Sequence, residues 1–521
     1  MISSLRRSLH PDIVSLGRLI LVLIAIQSRG AAAEPSAGSL TLVDFENADA
    51  VRLVDNQASG SLKESIHRPE TGVVLEVVTE ATADYPSVRI EPTAGPWNLS
   101  GYENVTATVQ NLDDAPLRVL LCVNNPGADG LHGCSVASLA LGPQESGVLT
   151  VWLGLWHGEA RPLDLAQITS LEVLLDKPGR GHRFLIDDIQ AARRETFDLA
   201  KALADPDFLR NASPLGRGIN LGNALEAPNE GEWGVTLEEA YFREIKAAGF
   251  DSIRLPVRWS AHAAGAAPYT IESQFFARVD WALDQAEKYA LQIVLNVHHY
   301  EEMDSRPDEH WARFLGLWTQ IAERYQTRPA GVKFELLNEP HDQLTAGKWN
   351  ELLREALAVV RKTNPTRTVV VGPTAWNSID ELKSLDLPAD DRNLVVTVHY
   401  YNPFEFTHQA APWLDAASRP PAGRKWTGTD AERAAVTRDL DTAALWGLKN
   451  RRPIYLGEFG VLDTADLASR AAWTKFVADE AARRRLGTAY WEFCSGFGAY
   501  DPVARRWLEP LRNALVPTQA P

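Results

Sequence analysis

A (β/α)8 barrel preceded by an all-β jelly-roll sandwich is the architecture that this 521-residue sequence predicts. Three observations lead there. The length exceeds one ordinary domain, so two are expected. Short β-type runs with no helical stretch between them fill about 39–193, the pattern of an antiparallel sandwich. From Gly216 onward apolar runs alternate with longer amphipathic stretches, and eight β-then-α units make a closed parallel barrel. The boundaries that follow are 1–33 for a leader, 34–194 for the sandwich, 195–213 for a linker and 214–517 for the barrel.

The chain opens with Arg6, Arg7 and Arg18 ahead of a short apolar run, Leu19–Ile26, and then Ala31-Ala32-Ala33. That is the layout of a secretory signal peptide cleaved after Ala33, with an apolar run too short to cross a bilayer. The expected location is therefore extracellular or periplasmic. Strands are expected in the sandwich near Leu40–Phe45, Val73–Val78, Ser87–Ile90, Asn104–Gln110, Leu117–Val123, Gly147–Leu153, Ser170–Leu175 and Phe184–Ile189. Its opening Leu-Val-Asp-Phe-Glu and closing Leu-Ile-Asp-Asp-Ile resemble the galactose-binding-like sandwiches that serve as carbohydrate-binding modules. Asp44, Glu46 and Asp187 offer carboxylate oxygens for a structural calcium, with exposed strand-end acids as the rival reading. Trp97, Tyr102, Trp152 and Trp156 are candidate sugar platforms, with core packing as theirs. Cys122 and Cys134 flank a turn and are placed to bridge two hairpin strands in an oxidising compartment; the sequence leaves open whether they do.

Composition excludes some functions. The formal charge of −16 argues against a phosphate-binding groove, so no nucleic-acid partner is expected. Sixteen Trp exceed what a core requires and suggest flat platforms of the kind that stack on sugar rings.

In the barrel, strands are expected near Gly218–Asn223, Ser252–Val257, Gln292–His299, Val332–Pro340, Thr368–Pro373, Leu394–Tyr401, Pro453–Gly460 and Gly487–Phe493. A barrel of this kind places its chemistry at the C-terminal strand ends. Those ends carry Asn220 and Asn223, Arg254, His298-His299, Asn338-Glu339, His399 and Tyr401, Glu458, and Trp491. Residues two apart share a strand face, so Glu339 goes with Leu337 and Glu335, and Glu458 with Leu456 and Ile454. By the same alternation His399 and Tyr401 point together, Tyr400 points into the helix layer, and His298 faces inward with His299 at the rim. Two carboxylates at strand mouths suit glycoside hydrolysis, in which one is protonated for the leaving oxygen and the other ionised. Arg254 is placed to hold one of them anionic. A metal site built on His298-His299 with Glu301 or His399 is the rival, weakened because adjacent residues of a strand point to opposite faces.

At these residues the likeness becomes specific. Gly-Ile-Asn-Leu-Gly-Asn-Ala-Leu-Glu-Ala-Pro at 218–228, Arg-Leu-Pro-Val-Arg-Trp-Ser at 254–260, Asn-Val-His-His-Tyr-Glu-Glu at 296–302, Leu-Leu-Asn-Glu-Pro-His at 336–341, Gly-Glu-Phe-Gly at 457–460 and Tyr-Trp-Glu-Phe-Cys-Ser-Gly-Phe-Gly at 490–498 resemble glycoside hydrolase family five, in its bacterial endoglucanase/mannanase branch. The resemblance implies a retaining double displacement on a β-1,4-glucan, with Glu339 as acid/base and Glu458 as nucleophile. It implies that Asn338 hydrogen-bonds a sugar hydroxyl, that Arg254 and Tyr401 orient the nucleophile, and that His298, His399 and Trp491 complete the subsite. It further implies that Asn223, Glu226 and His299 contact sugar hydroxyls, and that the loop carrying His408 and Trp413 lines the cleft, with Trp426 a further candidate there and core packing as its equal rival. No cofactor and no active-site metal are implied. The expected partner is a β-linked polysaccharide, mannan and xyloglucan being rival substrates, and a non-catalytic carbohydrate-binding protein is the reading from another class. No membrane attachment is expected once the leader is removed, and a monomer is the default.

Overall fold

Alternating apolar residues between Leu40 and Arg193 build two antiparallel sheets in the computed structural model, which describes residues 39–64, 72–128, 133–153, 163–416 and 418–516. The strands are β1 (Leu40–Val43), β2 (Val51–Asn56), β3 (Ala58–Glu64), β4 (Val73–Thr79), β5 (Ser87–Pro92), β6 (Tyr102–Asn111), β7 (Leu117–Asn124), β8 (Cys134–Leu141), β9 (Ser146–Trp152), β10 (Ser170–Leu174) and β11 (Arg183–Arg193). One sheet runs β3-β4-β11-β6-β9 with β1 added on β11, and the other β2-β5-β10-β7-β8. Val88, Ile90, Leu171 and Val173 of the second pack with Leu75, Val77, Val105 and Phe184 of the first, so the core lies between the sheets. Three strands have no counterpart among the expected ones: β2, β3 and β8. All three are sheet edges. Their polar stretches, such as Ser59-Gly60-Ser61, blunt the hydrophobic alternation by which strands are recognised.

The structure takes one side of each alternative left open for the sandwich. Cys134 pairs with Asn124 while Cys122 pairs with Val136, so the two cysteines are diagonal rather than opposite and form no disulfide. Glu46 accepts the Val73 amide at 2.7 Å, Asp44 the Glu46 amide and Asp187 the Asp188 amide. These acids cap backbone, and among the described residues they do not converge as a calcium cage would require. Trp97 and Tyr102 pack against the core. The leader and Trp156 lie outside the described residues.

The chain divides between Glu195 and Thr196. Two short helices, Leu199–Ala204 and Pro206–Arg210, occupy the stretch expected as a linker, each started by an aspartate, Asp198 or Asp205, that accepts a first-turn amide. The barrel then closes from β12 (Arg217–Asn220), β13 (Ser252–Leu255), β14 (Gln292–Asn296), β15 (Val332–Glu335), β16 (Val369–Val371), β17 (Leu394–Tyr400), β18 (Ile454–Phe459) and β19 (Gly487–Tyr490), each parallel to its neighbours. Long amphipathic helices such as Ser273–Lys288, Pro307–Tyr325 and Ala346–Arg361 bury one face against it. The unit after β16 is the exception, carrying only Thr374–Asn377 and a 3-10 turn, Ile379–Ser384. The barrel interior is an apolar plug, including Val294, Val370, Val395 and Tyr455, capped by a buried polar layer.

Candidate active site

The polar layer is organised by Arg254. The guanidinium is fully buried and uses all five of its N–H donors. Nε and Nη2 grip Glu335 at 2.7 Å each, Nη1 reaches Asn220 Oδ1 at 3.0 Å and Glu458 Oε1 at 2.7 Å, and Nη2 also reaches Asn338 Oδ1 at 2.7 Å. Glu335 keeps the charge in place from across the barrel; Glu458 and Asn338 receive it. A buried cation so paired stays protonated.

The backbone brings the two candidate glutamates to this layer by different devices. Simple alternation would turn Glu458 outward, because Ile454 and Leu456 pack in the layer between strands and helices. A bulge corrects this. Val398 pairs with Leu456, but the next pair is His399 with Glu458, so Gly457 is passed over and Glu458 swings inward. A side chain at Gly457 would collide with Thr397 Oγ1. Glu339 lies beyond the end of β15, on left-handed backbone with φ 46°. The His341 Nδ1–H group donates to the Glu339 carbonyl at 2.6 Å, and the His341 amide donates to Asp304 at 3.2 Å. A carboxylate oxygen of Glu339 comes within 4.8 Å of one of Glu458, with His399 between them. His399 Nδ1 is 2.7 Å from Glu339 and 3.6 Å from Glu458.

Their charge states separate. Burial pushes Glu339 up to about 7, opposed by His341 and Arg254. Burial also raises Glu458, but His399 and Arg254 oppose it, and both of its oxygens are held, Oε1 by Arg254 and Oε2 by the Tyr401 hydroxyl at 2.9 Å. Glu339 receives no such direct guanidinium bond, so the proton of the pair resides there. Burial drives His399 down to about 4 and His298 well below its ordinary value, leaving both imidazoles neutral.

Around this centre, Trp491 stacks on His298 with ring centres 5.7 Å apart. His298 accepts from Asn296 at 3.2 Å. His299, past the strand end, lies edge-on to Trp233 at 5.3 Å. Asn223 is half-buried and bonds Ser495 at 2.5 Å, tying the loop after β12 to the loop after β19. Tyr400 turns outward to Asp439, and Trp413 is exposed.

Two placements differ from expectation. Glu226 is wholly buried and its oxygens accept the Asn223 and Ala224 amides, so it shapes the turn that presents Asn223 instead of standing in the cleft. His408 is buried between Phe404, stacked at 4.3 Å, and Tyr401, edge-on at 4.8 Å, where it braces the tyrosine. Trp426 takes the packed one of its two readings, buried against Phe476. The sequence reading passed over Trp233 and Trp376, both exposed, and Asn377, which sits behind His399 at 3.2 Å. Trp376 stacks on His341, next to the acid/base candidate. Both tryptophans follow barrel strands, the signal by which they were open to discovery.

Glu339, His399 and Glu458 are the one set among the described residues whose ligand atoms gather closely enough for a metal ion. Those atoms already serve one another, Arg254 and Tyr401, and the guanidinium would repel a cation. Glu301 pairs with Arg258 at 3.6 Å.

A family model described as cellulase (glycosyl hydrolase family 5) matches residues 216–496, the segment that carries every residue of this centre. The chain belongs to that family. Endoglucanase H of Acetivibrio thermocellus is 37% identical to it over 288 residues, which take in 55% of this chain and 30% of that protein. The cellulase/esterase CelE of the same organism is 29% identical over 308 residues, 55% of this chain and 36% of that protein. The chain thus spans about a third of the length of these two relatives. Among solved structures, endoglucanase Cel5A of the hyperthermophilic Thermotoga maritima is 50% identical with a TM-score of 0.58, covering 60% of this chain and 99% of that one. That protein has been crystallised with cellobiose and with mannotriose.

Proposed function

We propose that the barrel hydrolyses internal β-1,4 bonds of a β-glucan with retention of anomeric configuration, in two displacements. The observation that carries this reading is the asymmetric pair: Glu458 held anionic by Arg254 and Tyr401, and Glu339, raised to about 7, within 4.8 Å of it. Retaining glycosidases set their carboxyl groups about 5–5.5 Å apart, against about 6.5–9.5 Å when a water must fit between substrate and base.

In the first displacement Glu339 protonates the glycosidic oxygen as Glu458 attacks the anomeric carbon, and the aglycone departs. In the second, Glu339, now ionised, takes a proton from the water that releases the sugar from Glu458. Asn338 accepts from Arg254 through its carbonyl oxygen and supports the Glu339 carboxylate from its amide, which leaves its other N–H for a sugar hydroxyl. Trp491 and His298 form a flat wall for the sugar ring. Asn223, His299 and Trp413 extend the contact surface on the surrounding loops. His399 neighbours both carboxyl groups.

Mannan or glucomannan is a second reading of the same centre, favoured by the mannotriose complex of the Thermotoga relative. The leader places the enzyme outside the cytoplasm, the sandwich serves as a carbohydrate-binding module, and the chain works as a monomer; no helix among the described residues is long and apolar enough to cross a membrane. The mechanism is tested with Glu458→Ala. Turnover should vanish and azide should restore part of it, giving a glycosyl azide of inverted configuration; a variant that azide does not rescue removes the nucleophile from Glu458.

A further inference from the structure

We propose that Asn377 is a positioning residue for the proton donor: it fixes which nitrogen of His399 carries the proton, and through it the hydrogen bond that Glu339 receives. The inference rests on Glu339 being the acid/base.

The backbone after β16 is built for this. Ala375, Trp376 and Asn377 all adopt left-handed backbone, with φ of 53°, 58° and 56°. Residues with a side chain disfavour that region, and asparagine tolerates it best. Three in succession turn Trp376 out to 54% exposure and Asn377 in to none. Gly372 lies against the same amide, where a Cβ would collide with Asn377 Oδ1.

Inside, Asn377 Nδ2 is 3.2 Å from His399 Nε2. In the orientation the amide takes in this structure its N–H faces Nε2, which then offers its lone pair, while Oδ1 is buried with no partner among the described residues. A neutral imidazole has one N–H, which is thereby placed on Nδ1, 2.7 Å from Glu339 Oε1. Burial keeps His399 neutral, which is why a partner can select its tautomer. In this tautomer Nδ1–H donates to Glu339 and favours its carboxylate. The opposite one would turn a lone pair toward Glu339 and favour its acid. Asn377 therefore opposes the burial that raises Glu339, so that the proton can leave in the first displacement and be recovered in the second. The other groups facing this pair are Arg254, Glu335, Glu458, Tyr401, His298 and His341. Trimming the Asn377 amide alters none of them.

The test uses the full chain with 15N-labelled histidine. Wild-type His399 should show its proton on Nδ1. Asn377→Gly, which keeps the left-handed backbone without strain, should lose that preference. The alkaline limb of kcat/KM on soluble β-glucan should then move up by about half a pH unit or more. Cleavage of 2,4-dinitrophenyl cellobioside, whose leaving group needs no proton, should keep its first-step rate. Asn377→Ala should behave in the same way and serves if the glycine variant does not fold. A wild-type proton on Nε2, or an unmoved alkaline limb in a folded variant, overturns the proposal. Glu339→Ala on the activated glycoside separates the two levels: if its first step is also lost, the acid/base assignment fails and carries the Asn377 role with it.

Discussion

Arg254→Lys removes the geometry of the polar layer while keeping its charge. The guanidinium donates five hydrogen bonds, two to Glu335 and one each to Asn220, Glu458 and Asn338. An ammonium has three donors and no fork, so at least two bonds are lost, each worth about 1.5–3 kcal/mol when a charge is involved. Of a total near 3–6 kcal/mol, the share at Glu335 falls on stability and the share at Glu458 and Asn338 on turnover. If half reaches the transition state, kcat/KM drops by about 10- to 100-fold at 1.36 kcal/mol per decade. The sign of the pH effect also follows. Arg254 favours the Glu458 carboxylate, so losing the contact raises its pKa and moves the acid limb of the profile to higher pH. The assay is kcat/KM on soluble β-glucan from about pH 4 to 9, with thermal melting alongside. A variant within twofold of wild type whose acid limb has not moved would refute the reasoning.

Gly457→Ala should abolish most activity, since the added methyl meets Thr397 Oγ1 and crowds His399 at the bulge that turns Glu458 inward; near-normal turnover would mean that the bulge is dispensable. Glu226→Gln should leave stability at pH 5 unchanged and raise it at pH 9. Burial lifts Glu226 from 4.5 to about 8, so the wild type loses stability as pH climbs through that window, by up to about 5 kcal/mol if the group titrated alone. Melting curves at both pH values check it, and parallel curves would count against a buried neutral acid. Trp376→Ala should raise KM on longer oligosaccharides several-fold with little change in kcat, because the exposed ring lies beside His341 on the acid/base side; equal KM for short and long substrates would exclude a platform there.

Much of the barrel was legible because every strand but β16 is a bounded apolar run followed by a helix, and polar residues at the strand mouths marked the functional face. Local pattern is blind to what the third dimension supplies. Glu458 illustrates this, since period-two alternation aims it the wrong way and only the bulge at Gly457 corrects the aim. Glu226 and His408 match the family pattern in sequence, yet backbone amides claim the one and aromatic neighbours enclose the other. Asn377 carried no signal, because its importance depends on three left-handed residues turning it toward a histidine 22 residues away in sequence. The edge strands of the sandwich were missed for the opposite reason, their polarity protecting unpaired backbone.

Glu339 and Glu458 are proposed as acid/base and nucleophile of a retaining double displacement. Proton NMR of the wild-type chain digesting barley β-glucan, read in the first minutes before mutarotation, tests it most directly. Retention predicts that the β-anomer of the new reducing end appears first and the α-anomer grows in later. An α-anomer appearing first would contradict it, because the bond would then have been cut by direct attack of water.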